Sequence, residues 1–214
     1  MDCWSAENAT NAFLKTLKMG ERGNVPDVTE FISAMAAGNN SQLMVMACSG
    51  HPGSALLGLA AAAQQTGGRV VCILRKEQEM HAIKETLLGD YANFLELVIG
   101  DDVKTLLASN YEGADFVLID CKLEDFQEVF EAAQQGVSVK GAFIVGYNAL
   151  HEGPRLNFDH KGYFLPIGEG LLVSKISVSE GNIVSGRRSH WIVEVDELTG
   201  EEHVYRVSTS PNTN

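Results

Sequence analysis

Five short apolar runs dominate the middle of the chain and are separated by stretches long enough to form helices. The runs are nearly continuous rather than alternating, a pattern typical of strands that are covered on both faces of a sheet. The predicted strands are Leu43–Cys48, Val70–Leu74, Leu95–Ile99, Phe116–Ile119 and Ala142–Val145. Because strands that alternate with helices favour right-handed crossovers, the sequence predicts a doubly wound α/β fold with a mostly parallel sheet.

Capping and glycine signals indicate where the helices begin and end. Pro26 precedes Asp27, and Glu30 completes a pattern that resembles a capping box. Gly67 followed by Gly68 is a typical helix stop. The predicted helices are Ser5–Lys18, one that starts at Asp27, Ser54–Gln65, Glu77–Leu88, a short one that begins at Asp101, and Leu123–Gln135.

After the fifth run the pattern changes to that of hairpins. Tyr163–Leu165 and Leu171–Val178 flank the turn Pro166–Gly170, which predicts an antiparallel pair and brings the sheet to seven strands. His190–Glu197 and Glu202–Val207 predict a terminal hairpin that adds to an edge of the sheet or lies against a face. We expect residues 1–40 to form helices that pack on the sheet, residues 41–178 a Rossmann-like core, and residues 179–214 a loop, the hairpin and a frayed tail.

The charge and the cysteines narrow the range of partners and compartments. Lys and Arg number 16 against 28 Asp and Glu, a net charge of −12, which disfavours nucleic acid and anionic membranes as partners. No apolar run approaches the roughly 20 residues of a membrane span. Met1–Ser5 lacks the basic and apolar regions of a secretory signal. Because the four cysteines form no CxxC pair, we expect reduced core thiols in a cytoplasmic protein, with the nucleus as the alternative.

The loop after the first run is the first candidate ligand site, because open α/β sheets bind ligands outside the carboxyl ends of their strands. Its glycines let a ligand approach the backbone, and the N-terminus of the following helix favours a negative group. A tight strand-to-helix turn would have the same composition. The candidate cofactor-binding residues of this loop are Ser49, Gly50, His51, Gly53 and Ser54.

The segments after the second and third runs supply further cofactor candidates. Adenosine-binding sheets usually place a carboxylate after the second strand, where it accepts the ribose hydroxyls. This chain has Arg75 there, and Glu77 follows two residues later. We expect Arg75 to be solvated, with a phosphate contact as the alternative. Asp101, after the third run, either contacts an adenine amino group or caps the next helix.

The segments after the fourth and fifth runs supply the candidates for catalysis. The candidate catalytic residues are Asp120, Lys122, Tyr147 and His151. Together with Asn148 they offer both proton donors and acceptors at one edge of the sheet. For each of them the alternative is a loop residue that satisfies the local backbone.

Taken in order, these segments resemble the class I S-adenosylmethionine-dependent methyltransferases, and most closely the O-methyltransferases of the caffeoyl-CoA and catechol kind. The resemblance covers about Val25 to Ser177, and its most specific part is Leu165–Leu171, which is similar to the turn between that family's last two strands. The whole chain is similar to a plant family of uncharacterised methyltransferase-like proteins. The resemblance implies S-adenosylmethionine as cofactor and a small-molecule methyl acceptor as partner. It does not determine the oligomeric state, for which a homodimer is one alternative.

The chain departs from the metal-dependent subtype in the residues that would bind the metal. That subtype has an Asp at the fourth strand and an Asp-Asn pair after the fifth, whereas here Asp120 and Asn148 remain and Tyr147 replaces the second Asp. Since Mg²⁺ prefers carboxylates and waters, we expect no metal site and a metal-independent transfer. The family's lysine base falls at Leu123, with Lys122 beside it.

Two other classes of protein remain as alternatives. The first is a non-catalytic relative that uses the sheet as a scaffold and the terminal hairpin for partner contacts. The second, a nicotinamide-dependent dehydrogenase, is disfavoured because no GxGxxG spacing follows the first strand.

Overall fold

The structure is a computed structural model that describes residues 4–19, 27–81, 83, 91, 93–138, 141–151, 162–176, 189–195 and 202–208. The chain divides into two units, Met1–Val178 and Ser179–Asn214. In the second unit, β8 (Ser189–Val195) and β9 (Glu202–Ser208) form a separate two-stranded antiparallel sheet, which confirms the predicted hairpin.

Seven strands of the first unit form one sheet. They are β1 (Leu43–Ala47), β2 (Arg69–Leu74), β3 (Leu95–Ile99), β4 (Phe116–Asp120), β5 (Ala142–Tyr147), β6 (Gly162–Leu165) and β7 (Leu171–Ile176). Their order is β3-β2-β1-β4-β5-β7-β6, with β1 to β5 parallel and β7 antiparallel to both of its neighbours. The predicted fold class is therefore confirmed. The order reverses at β1, so the carboxyl ends of β1 and β4 border the place where such sheets bind ligands.

Helices cover both faces of this sheet. They are α1 (Ala6–Met19), α2 (Val28–Gly38), α3 (Gly53–Thr66), α4 (Val103–Ser109) and α5 (Phe126–Gly136). Residues 77–81 and 83 are also helical, and residues 82 and 84–88 of the predicted helix Glu77–Leu88 lie outside the described residues. None of the described helices is both long and apolar enough to cross a bilayer.

The two faces of β1 show how the continuous apolar runs fill two cores. Met44 and Met46 are buried on one face with side chains of α2 and α3, whereas Val45 and Ala47 are buried on the other with side chains of α4 and α5. Since successive side chains of a strand point to opposite faces, a strand covered on both sides must be apolar throughout. The alternation of strand and helix thus decides the layering.

The local start and stop signals act largely as the sequence predicts. Asp27 is the N-cap of α2, and the Glu30 carboxylate accepts a hydrogen bond from the Asp27 N–H at 2.7 Å. Gly67 ends α3 with a φ of 71°, a left-handed conformation that glycine adopts without strain. Of the two alternatives for Asp101, capping of the next helix is wrong: Asp102 is the N-cap of α4, where its carboxylate accepts from the Thr105 N–H at 3.1 Å.

The described cysteines are core thiols. Cys48, Cys72 and Cys121 are free and buried, which confirms the prediction for these three. Cys3 lies outside the described residues.

Candidate functional site

Asp120 is the centre of a buried hydrogen-bond network at the carboxyl end of β4. Its side chain is 5% exposed. One carboxylate oxygen accepts from the Ser49 hydroxyl at 2.5 Å and from the Ser49 N–H at 3.3 Å. The other accepts from the Asn148 side-chain amide at 2.8 Å and from the Lys122 N–H at 3.0 Å. The carboxylate therefore links the segments that follow β1, β4 and β5.

Tyr147 closes the network from the neighbouring strand, since it pairs with Asp120 in the register of β4 and β5. Its side chain is 8% exposed and lies within reach of the charge of the Asp120 carboxylate. Burial raises the pKa of the Tyr147 phenol well above its ordinary value, and the Asp120 charge raises it further. At neutral pH Tyr147 is therefore a neutral phenol that keeps its O–H proton.

This raised pKa predicts a pH dependence of folding. Above a pH of about 10 the unfolded chain releases the Tyr147 proton while the folded chain retains it, so the stability present at lower pH is lost. Compared with Tyr147→Phe, we expect the wild-type free energy of unfolding to fall by about 1.4 kcal/mol more per pH unit above about pH 10. Urea unfolding at pH 8, 10 and 11 measures this difference.

The matched control is Tyr163→Phe, because the Tyr163 side chain is 72% exposed. We expect the pH dependence of this variant to follow that of the wild type. Parallel pH curves for wild type and Tyr147→Phe would contradict the burial argument.

The loop between β1 and α3 presents an open backbone beside this network. A Cβ built on Gly50 or on Gly53 meets no atom within 4 Å. Gly53 has a φ of 58°, which favours glycine. Its N–H donates to the His51 ring at 3.1 Å, and His51 is exposed. Pro52, the N-cap of α3, provides no side-chain hydrogen bond, so the first turn of α3 has no side-chain acceptor from its cap.

The first turn of α2 and the turn between β6 and β7 approach the same edge of the sheet. The Thr29 hydroxyl donates to that of Ser54 at 2.8 Å, which joins the first turns of α2 and α3. A Cβ on Gly168 would meet Val28 at 2.5 Å, so the Pro166–Gly170 turn packs closely on the start of α2. These contacts enclose part of the candidate site with residues that are distant in sequence.

The remaining predicted residues lie around this edge, and several face solvent. Glu77, Asp101 and the Lys122 side chain are exposed, with no contact to the Asp120 carboxylate apart from the Lys122 N–H. The backbone of His151 lies in a 3₁₀ turn, Ala149–His151, directly after β5. The structure thus brings Ser49, Asp120 and Tyr147 together, whereas the side chains of Glu77, Asp101 and Lys122 face solvent.

Arg75 corrects one expectation. It is not simply solvated: a guanidinium N–H donates to the Asp125 carboxylate at 2.5 Å, and the two side chains are 28% and 25% exposed. The Arg75 Nε and the Glu79 Oε2 are buried and have no hydrogen-bond partner among the described residues. The sequence analysis did not identify Glu79 or Asp125 as site residues. The signal that could have found Glu79 is its position as a carboxylate in the first turns after the second strand.

The described residues offer no ready-made metal centre. No group of three or more His, Cys, Asp or Glu side chains in that part of the chain is arranged to hold an ion. The nearest protein donors to the Asp120 carboxylate are N–H and O–H groups, which occupy the lone pairs that a cation would need.

The strand order and the polar switch point define a Rossmann-like, methyltransferase-type fold, and solved structures agree. A methyltransferase from Geobacter sulfurreducens is 21% identical, with a TM-score of 0.56 over 82% of this chain and 91% of that one. The O-methyltransferase TomG from Streptomyces achromogenes, solved with S-adenosylmethionine, is 18% identical, with a TM-score of 0.56 over 78% and 89%. An O-methyltransferase from Bacillus cereus, solved with S-adenosylhomocysteine, is 15% identical, with a TM-score of 0.53 over 81% and 92%. These identities support a shared fold.

The chain belongs to the family described as a protein of unknown function, DUF1442, whose model matches residues 2–207. No curated protein matches the chain with significant similarity. The O-methyltransferase part of the predicted resemblance is thus confirmed at the level of the fold.

Proposed function

We propose that this protein binds S-adenosylmethionine and transfers its methyl group to a small acceptor without a tightly bound metal. The observation that carries the proposal is the open backbone at Gly50 and Gly53, which lies beside the buried network of Asp120 and Tyr147 at the switch point of the sheet. Three further points support it: the fold, the cofactors named for two structural neighbours, and the resemblance in sequence.

The residues present fit the amino-acid end of this cofactor. The carboxylate would lie at the first turn of α3, where Pro52 provides no capping hydrogen bond and the His51 ring accepts only from the Gly53 N–H, with Ser49, His51 and Ser54 around it. Glu77 and Asp101 are the candidates for the ribose and the adenine. When bound, the cofactor supplies an electrophilic methyl group on a sulfonium.

The chain's own contribution to such a transfer is position and proton removal. Because an in-line displacement depends on alignment, a fixed acceptor supplies much of the rate enhancement. Tyr147, kept as a phenol chiefly by burial, would orient an acceptor oxygen by donating a hydrogen bond. Lys122 and His151, which follow β4 and β5, are the candidates to remove the proton of the methyl acceptor.

Calorimetric titration with S-adenosylmethionine and S-adenosylhomocysteine, with and without Mg²⁺, tests the proposal. We expect saturable binding that Mg²⁺ does not alter. The Tyr147→Asp variant places a second carboxylate beside Asp120 and Asn148, so we expect measurable Mg²⁺ affinity in this variant and none in the wild type. Tight Mg²⁺ binding by the wild type would overturn the proposal that the transfer needs no bound metal.

A non-catalytic scaffold is the second candidate function. The observation that favours it is that protein donors satisfy both oxygens of Asp120, so this part of the edge is stable without a ligand. Absence of binding to either cofactor form, in protein that unfolds cooperatively, would favour this reading over the methyltransferase.

A further inference from the structure

An ion pair crosses the carboxyl end of β1. Arg75 directly follows β2, and Asp125 lies in the segment after β4. Since β1 lies between β2 and β4 in the sheet, the contact between the Arg75 guanidinium and the Asp125 carboxylate spans the strand from which the Ser49–Ser54 loop begins. The pair therefore occupies the region that a ligand extending from this loop toward β2 would enter.

Arg75 is only partly satisfied by this pair. One N–H of the guanidinium donates to Asp125, whereas the Nε–H is buried and unpaired among the described residues. A guanidinium edge can donate two parallel hydrogen bonds to one carboxylate or phosphate, and burying an unpaired donor is costly. Arg75 thus retains a free donor for a bidentate acceptor.

The Asp125 carboxylate has no capping role at the start of its own helix. Asp125 stands at the N-cap of α5, yet its side chain makes no capping hydrogen bond. An Asp in this position ordinarily accepts a backbone N–H of the first helical turn. Because Asp125 takes no part in capping and its side chain is 25% exposed, its carboxylate can turn to solvent when Arg75 changes partner.

We infer that Arg75 exchanges Asp125 for a phosphate on the ribose of an adenosine ligand, so that a phosphorylated adenosine binds this site more tightly than a ligand with a free ribose, which leaves the ion pair in place. The inference rests on the adenosine site of the proposed function. A neutral ribose that displaced Asp125 would leave a half-buried guanidinium without a counter-ion, whereas a phosphate replaces one anion with another and can also accept from Nε–H. The buried Glu79 Oε2, four residues further on, is likewise without a hydrogen-bond partner among the described residues.

Calorimetry with adenosine, its 2′- and 3′-monophosphates, inorganic phosphate and S-adenosylhomocysteine tests the inference. We expect one of the monophosphates to bind the wild type at least about 10-fold more tightly than adenosine, because a charge-assisted pair is gained. Arg75→Gln removes this advantage. Asp125→Asn removes the competing carboxylate and strengthens phosphate binding, so the two variants change affinity in opposite directions, which a merely structural defect would not do.

Lys104→Gln is the matched control, since it removes one positive charge from an exposed ion pair between α4 and α5. We expect it to retain the phosphate advantage. If S-adenosylhomocysteine binds but neither phosphate adds affinity, the inference is overturned and the proposed function stands. If a monophosphate binds through Arg75 while both forms of the methyl donor fail, the proposed function falls and the inference stands. Binding of inorganic phosphate alone, or of nothing, overturns the inference.

Discussion

Asp120→Ala is expected to lower the free energy of unfolding by about 3 kcal/mol. The Asp120 carboxylate is 5% exposed and accepts hydrogen bonds from Ser49, Lys122 and Asn148. Alanine removes the shared acceptor of these donors, and with it the link between the segments that follow β1, β4 and β5. Urea unfolding at neutral pH, monitored by circular dichroism, measures the loss as a lower midpoint.

Asp101→Ala is the matched control for this prediction. It removes a carboxylate from the same edge of the sheet, but Asp101 is exposed and is not the cap of α4. We expect its effect to stay within about 0.5 kcal/mol. Equal losses in the two variants would mean that negative charge at this edge, rather than the network around Asp120, contributes the stability.

The second large effect concerns the ligand. S-adenosylmethionine at about 100 times its dissociation constant is expected to stabilise the fold by roughly 2.7 kcal/mol. For a domain of this size the melting temperature then rises by roughly 5–10 °C. Gly50→Val is expected to abolish most of this shift while the unliganded protein keeps its stability, because the added side chain fills open space at a backbone without positive φ.

Gly53→Val serves as the comparison, since it also crowds the approach of a ligand. Gly53 has a φ of 58°, so a branched residue strains the backbone, and we expect a further loss of about 1–2 kcal/mol without ligand. Thermal melts of both variants with and without ligand separate the two effects. If millimolar S-adenosylmethionine leaves the wild-type melting curve unchanged, the cofactor proposal fails.

Much of the fold can be predicted from local patterns because each signal acts over a few residues. Four of the five continuous apolar runs become buried strands, whereas β3, at the edge of the sheet, is only partly covered. The Asp27–Glu30 pair becomes a capping box, and Gly67 ends its helix. Boundaries are less certain, as the start of α4 illustrates: Asp101 and Asp102 are chemically identical cap candidates, and only the path of the chain after β3 selects the second. The sequence therefore predicts which elements exist better than where each begins.

The candidate site also has features that the sequence predicts and features that it does not. Glycines after the first strand and polar residues after the fourth and fifth could be assigned to one edge, because parallel strands place their carboxyl ends together. The partners of those residues could not be assigned. Glu77 and Glu79 differ by two positions on one helix, yet only the second has a buried carboxylate oxygen.

The sequence by itself determined the alternation of strand and helix, the two-sided burial of the sheet and the edge where polar residues gather, since periodicity and capping are local. Tertiary structure alone decided that Asp120 is enclosed by donors from Ser49 and Asn148, and that Arg75 pairs with Asp125 across β1. These contacts join residues 28 to 71 positions apart. Such pairings depend on strand order and loop paths, which no local pattern encodes, and they decide which charges at the site are free to meet a ligand.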